Sequence, residues 1–494
     1  MITTVTTFLK RKILFIILLP VTWVLHGYLT NYGLVPQRDA ILLALLYCGV
    51  GLFLTGIFWL LYKNIVKAAL LSFFLLCLQF FFGPLHDFLK EYTPGTFFSK
   101  YSFLLPFILI LIITASIYLA RSKKNFYQVT FYLNTLLVIL IITDSFSLAL
   151  KSSKTPKINN EFNEKLNPCD TCVKPDIYLI VADGYPGNRQ LNDLFSFDNS
   201  KFENALKKRG FFVVDSSVSN YNFTPFSIAS MLNQEYLKDL EGSNSSKIDM
   251  DICFETIKRN KTFKFIQTYG YDIFNFSIFD LENQPSKINS TLIQEGNRLM
   301  NSQTLIYRIK YDLGYHLITN LKLGSEIKKV RELDLRNNLK LINLTLDVLK
   351  KKNNKSKFVY THIIMPHYPY YFDSTGNKND YKLLTEEFNN KKDFFISYLK
   401  YANKEYLSLI DQIMFNTNNQ SIILFLSDHG FREFTIPVDL KYHFMTLNAV
   451  YIPDKNYTQY YKGQSNINTF RVLFNTVFNQ KYSLLKDSSS FLAQ

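Results

Sequence analysis

The chain has 494 residues, of which 48% are hydrophobic and 16% aromatic, and its formal net charge is +15. This length allows more than one domain and a large hydrophobic core. The positive charge does not require a nucleic-acid partner, because about half of the excess lies between apolar runs in the first 150 residues, where 11 Lys and Arg face 4 Asp and Glu. The remainder has the charge balance of an ordinary soluble domain.

Five apolar stretches predict transmembrane helices, since most of them reach the ~20 residues that a helix needs to cross a bilayer. They lie at 13–30, 40–62, 65–83, 102–120 and 128–150. Lys and Arg cluster before the first stretch, between the second and third, and between the fourth and fifth. The positive-inside rule therefore places the N-terminus in the cytoplasm. An odd number of spans then puts everything after Leu150 on the extracytoplasmic side of the membrane.

Residues 151–174 are polar and lack periodicity, so we expect a linker between a transmembrane domain at 1–150 and an extracytoplasmic domain at 175–494. Cys169 and Cys172 lie in this linker. In an oxidising compartment this spacing favours a local disulfide. A zinc site would need a second cysteine pair, and thioredoxin-like chemistry would need the motif to follow a strand, whereas here it precedes one.

Strand-like and helix-like runs alternate through the outer domain. We predict strands at 176–182, 211–214, 271–276, 358–361 and 421–426, and helices at 198–209, from 224 onward, and at 262–269, 330–351 and 395–415. Such alternation predicts an α/β fold with a mostly parallel sheet between two layers of helices. The helix at 330–351 has one apolar face, formed by Leu335, Leu339, Ile342, Leu346 and Leu349. Residues 277–330 fit neither pattern and are interpreted as an insertion that could shape a substrate pocket.

Two of the predicted strands end in a carboxylate. Asp183 closes the first strand and is followed by Gly184, and Asp428-His429-Gly430 closes the last. Ligands of open α/β sheets bind beyond the carboxyl ends of the strands. Because carboxylate and imidazole groups together suit zinc or manganese better than magnesium, we predict a divalent metal site here.

A hydroxyl group is expected beside this metal. Thr224-Pro225 reads as a helix start, with Thr224 as N-cap and Pro225 in the first turn. By itself this dipeptide is usually a plain helix cap. A helix N-terminus also favours anions, and a bound cation can ionise a hydroxyl group that attacks phosphorus. Thr224 is therefore predicted to be both the nucleophile and the fourth metal ligand.

The order of these motifs resembles the alkaline-phosphatase superfamily, in its sulfatase-like branch. Asp183 ends the first strand, Thr224 starts a helix 41 residues later, and Asp428-His429 ends a late strand. Five spans followed by an extracytoplasmic domain resemble lipoteichoic acid synthases and the phosphoethanolamine transferases that modify lipid A. Those families commonly carry Glu at the first position, so Asp183 is a departure. The motif order covers roughly residues 174–455, whereas the membrane part is similar only in architecture.

The resemblance implies an alkaline-phosphatase-like fold and roles for several residues. Asp183, Thr224, Asp428 and His429 would hold one metal ion, and Thr224 would form a covalent phosphothreonine. His367, in the loop after the strand at 358–361, would contact the phosphate or protonate the leaving oxygen. True sulfatases carry Cys or Ser in Cys/Ser-x-Pro-x-Arg. Thr224-Pro225-Phe226 departs from that motif, which weighs against sulfate-ester hydrolysis.

Four further residues keep alternative interpretations. His362 assists at the substrate or is a buried, hydrogen-bonded imidazole. His443 is predicted to be catalytic, serving the leaving group and the acceptor together with His367, and its alternatives are substrate contact, a second metal ion or a structural role. Arg432 and Lys441 pair with phosphate oxygens or lie on a solvated surface.

The predicted function is metal-dependent transfer of a phosphoethanolamine-type or phosphoglycerol-type group from a membrane lipid to an envelope glycan or lipid. The first alternative is a sulfatase-like hydrolase of phosphate, phosphodiester or sulfate esters that uses the same site. The second is a non-catalytic envelope scaffold. Nothing in the sequence specifies an oligomeric state.

Overall fold

The computed structural model describes residues 2–32, 35, 37–93, 96–154, 169, 172–237, 247–288, 300–310, 314, 324–351 and 354–492. The chain forms two compact units. One consists of Met1–Lys157 with Gln294–Gly324, and the other of Ile158–Ile293 with Ser325–Gln494. We call them the helical unit and the α/β unit. The predicted outer domain, 175–494, is thus interrupted where residues 294–324 join the helical unit.

The helical unit contains six helices of the N-terminal region. They are α1 (Ile2–Arg11), α2 (Phe15–Thr30), α3 (Gln37–Tyr62), α4 (Ile65–Tyr92), α5 (Tyr101–Arg121) and α6 (Tyr127–Lys154). Helices α3 to α6 are long and apolar enough to span a bilayer, whereas α2 has only 16 residues. The expectation of five spans is therefore supported for four, and the first stays a prediction.

Many large apolar side chains of these helices point away from the unit. Phe53 is 69% exposed and Leu61 is 72% exposed. In water, an apolar surface of this extent would be strongly unfavourable, whereas lipid hydrocarbon accommodates it. The exposed apolar surface of these helices is therefore of the kind that lipid accommodates.

Residues 300–310 belong to the packing of the helical unit. Met300 lies in an apolar cluster with Val24 and Leu43. The Gly83 N–H donates to the Gln303 carbonyl at 2.8 Å. A short helix, Leu305–Arg308, follows in this segment. This segment therefore packs against α2 to α4, and the interpretation of 277–330 as an insertion that shapes a substrate pocket stays a prediction.

The α/β unit is built on a six-stranded sheet. Its strands are β1 (Ile177–Ala182), β2 (Phe212–Val213), β3 (Asp272–Phe276), β4 (Lys357–Ile363), β5 (Ile422–Ser427) and β6 (Asn448–Tyr451), in the order β2-β6-β5-β1-β4-β3. Strands β3, β4, β1 and β5 run parallel, but β6 pairs antiparallel with β5, and β2 antiparallel with β6. The sheet is therefore mixed, with three parallel and two antiparallel pairings, and β6 is the strand that runs against the others. Parallel strands are usually connected by a crossover helix, and the segment between β5 and β6 contains only the 3₁₀ turn Leu440–Phe444.

Helices cover both faces of this sheet. They are α7 (Asn188–Phe195), α8 (Ser200–Lys208), α9 (Thr224–Asn233), α10 (Lys247–Lys258), α11 (Lys261–Thr268), α12 (Gly324–Arg331), α13 (Leu333–Leu349), α14 (Lys392–Asn416) and α15 (Thr469–Val477). The central strands are buried on both sides. Leu179 and Val181 face one core, and Tyr178 and Ile180 face the other, as the two-residue period of a strand requires.

The helix expected at 330–351 is present as α13, whereas α7, α10, α12 and α15 were not predicted. The expected apolar face of α13 is also displaced, since Leu339 is 49% exposed while Asn338 and Thr345 are buried. The expected disulfide between Cys169 and Cys172 is present.

Candidate metal centre

The two strand-ending aspartates lie side by side. Strands β1 and β5 pair with Ala182 opposite Ser427, so the chain leaves both strands at the same level. Asp183 and Asp428 follow directly, and both side chains are fully buried. The Gly184 N–H donates to Asp428 Oδ1 at 3.0 Å, which fixes one of the two oxygens of this carboxylate.

Thr224 reaches the same place from helix α9. The helix begins at Thr224 with Phe223 as the N-cap residue, and no side chain caps it, so the prediction of Thr224 as N-cap is wrong by one position. Pro225 fits the first turn because no N–H is needed there. The Thr224 hydroxyl, which does not cap the helix, lies 3.2 Å from His429 Nε2.

His429 presents a lone pair to the centre. Its Nδ1 lies 2.7 Å from the Gly430 carbonyl, which can only accept, so Nδ1 carries the proton and Nε2 of the neutral ring is bare. Nε2 lies 3.5 Å from Asp428 Oδ2 and 3.8 Å from Asp183 Oδ1. Burial lowers the pKa of His429 below its ordinary 6.5, although Asp428 opposes this shift. A neutral imidazole oriented by a backbone carbonyl is the usual form of a metal ligand.

One oxygen of each aspartate has no hydrogen-bond partner among the described residues. These atoms are Asp183 Oδ1 and Asp428 Oδ2, and both are buried. Burial by itself would raise the pKa of Asp183, but the hydrogen bond from His362 and the surrounding histidines lower it overall, so the group is ionised. Buried, unpaired carboxylate oxygens are costly unless a cation compensates them. The donor set therefore fits a divalent metal ion.

His362 lies behind Asp183 on β4. Its side chain is fully buried, with Nε2 3.2 Å from Asp183 Oδ2 and Nδ1 3.3 Å from the Tyr360 hydroxyl. A neutral ring satisfies both contacts if Tyr360 donates to Nδ1 and Nε2–H donates to Asp183. Of the two interpretations of His362, this position fits the buried, hydrogen-bonded imidazole. One ligand atom each of Asp183, His362 and Asp428 also lies within 4.8 Å of the others.

His367 lies across from His429. Its backbone N–H donates to the Asp183 carbonyl at 3.2 Å. Its Nδ1 donates to the Tyr368 carbonyl at 2.8 Å, and its buried Nε2 has no hydrogen-bond partner in the described part of the chain. Gly184, at φ +65°, separates the two rings, and a Cβ there would lie 3.5 Å from an atom of each. A small cavity here is lined by His367, His429, Arg432 and Glu433.

The remaining candidates lie at different distances from this centre. The His443 carbonyl accepts from the Gly430 N–H at 3.0 Å, and burial lowers the pKa of its ring. Arg432 donates to the Asn222 carbonyl at 3.0 Å and covers the ring of Phe223, beside the start of α9. Lys441 is half exposed and pairs with Asp439 at 2.8 Å, so the contacts found for it do not involve the centre.

Two buried carboxamides that sequence reasoning missed hold the loops of the site. Gln190 Nε2 donates to the Phe431 carbonyl at 2.7 Å, and the Phe431 N–H donates to Gln190 Oε1 at 3.1 Å. Asn338 holds Ile364, close to His367, in the same way, at 2.7 and 2.9 Å. Gln190 belongs to the unpredicted helix α7. The sequence marks Asn338 as unusual, because two consecutive asparagines interrupt the apolar pattern of the helix. It does not indicate the partner, Ile364, which lies 26 residues later.

Gly430 is required by close packing. A Cβ at this position would lie 2.7 Å from Gln190 Oε1 and equally close to the carbonyls of Tyr442 and Met445. Any side chain would displace the backbone that follows His429. The Asp-His-Gly motif thus needs glycine at its third position because no side chain fits there.

No protein-family model matches this chain, and no curated protein matches it. Solved structures do match. The C-terminal periplasmic domain of EcEptC from Escherichia coli, in complex with Zn, is 14% identical and covers 64% of this chain and 84% of that chain, with a TM-score of 0.38. The corresponding domain of phosphoethanolamine transferase EptC from Campylobacter jejuni is 16% identical, with 64% and 92% coverage and a TM-score of 0.36.

The integral membrane protein lipooligosaccharide phosphoethanolamine transferase A from Neisseria meningitidis is 12% identical and covers 92% of this chain and 95% of that chain, with a TM-score of 0.38. The structural neighbours are phosphoethanolamine transferases and sulfatase-like enzymes. They are the groups that the motif order resembles. Since these TM-scores lie below 0.5, only the geometry of the centre bears on its chemistry.

Proposed function

We propose that the chain is a membrane-anchored, metal-dependent phosphotransferase that acts on phosphate esters through Thr224. One observation carries this proposal. The two unpartnered oxygens of Asp183 and Asp428 are buried beside His429 Nε2, and that nitrogen contacts the Thr224 hydroxyl.

The metal ion would be held by Asp183 Oδ1, Asp428 Oδ2, His429 Nε2 and Thr224 Oγ1. Three oxygens and one nitrogen suit zinc or manganese, and these four atoms account for one ion. Bound there, a divalent cation would lower the pKa of the Thr224 hydroxyl and offset negative charge on the phosphoryl oxygens. His362 is proposed to position Asp183 through its second oxygen and not to contact substrate.

The reaction proposed is a double displacement. Thr224 Oγ1 gives its proton to solvent and attacks phosphorus, the bond from phosphorus to the donor oxygen breaks, and His367 supplies a proton to that oxygen through Nε2. The N-terminus of α9 stabilises the resulting phosphothreonine, because its first N–H groups and the helix dipole favour an anion. The acceptor hydroxyl then attacks phosphorus and passes its proton to His367, the bond from phosphorus to Thr224 Oγ1 breaks, and that oxygen takes a proton from solvent.

The anchor indicates the class of substrate. Helices α3 to α6 would keep the chain in the membrane, so the proposed donor is a phospholipid and the proposed acceptor an envelope glycan or lipid, with phosphoethanolamine or phosphoglycerol as the transferred group. The disulfide between Cys169 and Cys172 supports an extracytoplasmic α/β unit, since disulfides persist in oxidising compartments.

A labelling experiment tests this proposal. The full chain, purified in detergent, would be analysed for bound metal and incubated with headgroup-phosphate-labelled phospholipid, and the label would be located by peptide mapping. We expect label on Thr224 in the wild type, retained in Thr224→Ser and absent in Thr224→Val. A wild type that binds no metal, or a Thr224→Val chain that is labelled equally, would contradict the proposal. Release of free headgroup phosphate without a modified acceptor would identify a hydrolase.

A further inference from the structure

Three successive backbone carbonyls at the end of β5 are bound by buried side chains. Asn466 Nδ2 donates to the Ser427 carbonyl at 2.7 Å, and Ser427 Oγ donates to the His429 carbonyl at 2.7 Å. Ser227 Oγ donates to the carbonyl between them, that of Asp428. All three donors are buried. Because Asp428 and His429 are proposed metal ligands, these bonds restrain the backbone from which both ligands extend.

Ser227 differs from the other two donors because it belongs to α9, the helix that begins at Thr224. Residues three positions apart lie on one face of a helix, about 4.5 Å apart along its axis. Thr224 Oγ1 lies 3.2 Å from His429 Nε2, and Ser227 Oγ donates to the Asp428 carbonyl. Within the described part of the chain, these are the two hydrogen bonds between α9 and residues 427–430. The face of α9 that presents the hydroxyl of Thr224 is thus also bonded to the backbone of the ligands.

A second buried serine of α9 uses its hydroxyl group differently. Ser230 Oγ donates to the Ser227 carbonyl at 2.9 Å, inside its own helix. Serines in helices commonly bond the carbonyl three or four positions earlier in this way. The Ser227 hydroxyl, with one proton to donate, bonds outside the helix instead. The two side chains are equally buried, so they form a matched pair for mutagenesis.

The remainder of α9 is held largely by apolar packing. Phe226 and Ile228 lie in the apolar core on their side of the sheet, and Phe223, the N-cap residue, gives the first turn no side-chain hydrogen bond. Apolar burial stabilises a helix but is not directional. A hydrogen bond weakens steeply when its distance or angle changes, so it specifies the rotation and the height of the helix. The bond of Ser227 therefore adds a directional contact between the first turn of α9 and the metal ligands.

We propose that Ser227 is a positioning residue, which keeps the Thr224 hydroxyl beside His429 Nε2 so that one metal ion can bind both. Without this bond the first turn of α9 can move relative to Asp428. A displacement of about 1 Å can cost an enzyme roughly 100-fold in rate. The catalytic part of this inference rests on the proposed function, whereas the placement of Thr224 can be measured without substrate.

The visible absorption of the cobalt(II)-loaded full chain, purified in detergent, measures this placement. The coordination geometry of a transition metal depends on the number and type of its ligands, and the absorption of cobalt(II) changes with it. We expect Ser227→Ala and Thr224→Val to change the wild-type spectrum alike, because both withdraw the threonine oxygen, whereas Ser230→Ala should keep it. A wild-type spectrum in Ser227→Ala or in Thr224→Val would overturn the proposal. Failure of Ser227→Ala to fold, while Ser230→Ala folds, would assign the bond to stability and also overturn it.

Labelling of Thr224 by headgroup-phosphate-labelled phospholipid separates this inference from the proposed function. At saturating phospholipid we expect Ser227→Ala to be labelled about 100-fold more slowly than the wild type and Ser230→Ala at the wild-type rate. Equal labelling of Ser227→Ala and the wild type would overturn the positioning role and leave the proposed function standing. If the wild type is not labelled but the cobalt spectra change as expected, the proposed function fails, whereas the placement of Thr224 by Ser227 is supported.

Discussion

The helical unit and the α/β unit depart from the usual distribution of side chains in opposite directions. The helical unit exposes large apolar groups such as Phe53 and Leu61, while the α/β unit completely buries the carboxylates of Asp183 and Asp428. Either arrangement is unfavourable unless a partner outside the fold compensates it. For apolar surface that partner is lipid hydrocarbon, and for paired carboxylates it is a cation. The exposed apolar side chains of the helical unit thus indicate a lipid environment, and the buried carboxylates of the α/β unit indicate a bound cation.

The largest effect is expected from removing one buried charge. A four-ligand zinc site is worth about 10–16 kcal/mol, so the loss of one ligand in Asp428→Asn should cost roughly a quarter of this, or about two to three orders of magnitude in the Kd for the metal. The metal-free variant should unfold at the same or a higher temperature than the metal-free wild type, because an asparagine keeps the contact to Gly184 without the charge. Calorimetric titration and thermal unfolding measure the two quantities.

The control for this variant is Asp347→Asn, which removes a carboxylate that is 60% exposed. Its metal affinity should equal that of the wild type. If Asp428→Asn binds metal normally and unfolds at a lower temperature, the buried carboxylates have a structural role. That result would contradict the claim that a cation compensates them.

The next largest effect is expected on the helical side. Phe53→Arg puts a charge on an exposed position of α3, and arginine near the middle of a membrane helix costs about 3 kcal/mol of insertion free energy. We expect a matching loss of membrane-integrated protein in a glycosylation-based insertion assay.

The matched control is Phe415→Arg on α14, where the phenylalanine is 83% exposed. The change should leave thermal stability within about 0.5 kcal/mol, as surface substitutions usually do. If both variants behave alike, the exposed apolar surface of the helical unit does not face lipid.

A smaller effect is expected from the carboxamide that holds the loop after His429. Gln190→Met keeps the size of the side chain but removes both hydrogen bonds to Phe431, and outer-shell changes of this kind lower metal affinity about 10–100-fold. Asn338→Leu acts on the loop of His367, so it should reduce turnover without changing metal affinity. Gln412→Met, on the exposed side of α14, is the control. Equal loss of metal affinity in both buried variants would indicate a general loss of stability.

The smallest effect is expected from pH. An imidazole with the ordinary pKa of 6.5 would lose about tenfold in metal affinity between about pH 7.5 and 5.5, because its proton competes with the metal. Burial lowers the pKa of His429, so the loss measured by titration should be smaller. In the metal-free chain the stability changes with pH in the same direction. The unfolded state binds the proton more tightly, so stability should fall as the pH drops below 6.5.

The sequence by itself predicted the elements of the centre. Apolar runs that end in Asp183 and Asp428 specify buried strands, and Thr224-Pro225 specifies a helix start, because each signal depends on neighbours within a few residues. The register of β1 with β5 then places the two carboxylates together, as expected for strands that end at one edge of a sheet. The roles assigned to these residues remain proposals.

The tertiary structure alone decided which polar groups meet across long sequence separations. Nothing near Gln190 indicates that it holds Phe431, 241 residues later. Residues 300–310 return to the helical unit for a similar reason, since their partners Gly83 and Asp87 lie more than 200 positions earlier. Hydrophobic periodicity predicts which face of a helix is buried but not which residues cover it. Helix α13 therefore buries Asn338 where its leucines predicted a purely apolar contact.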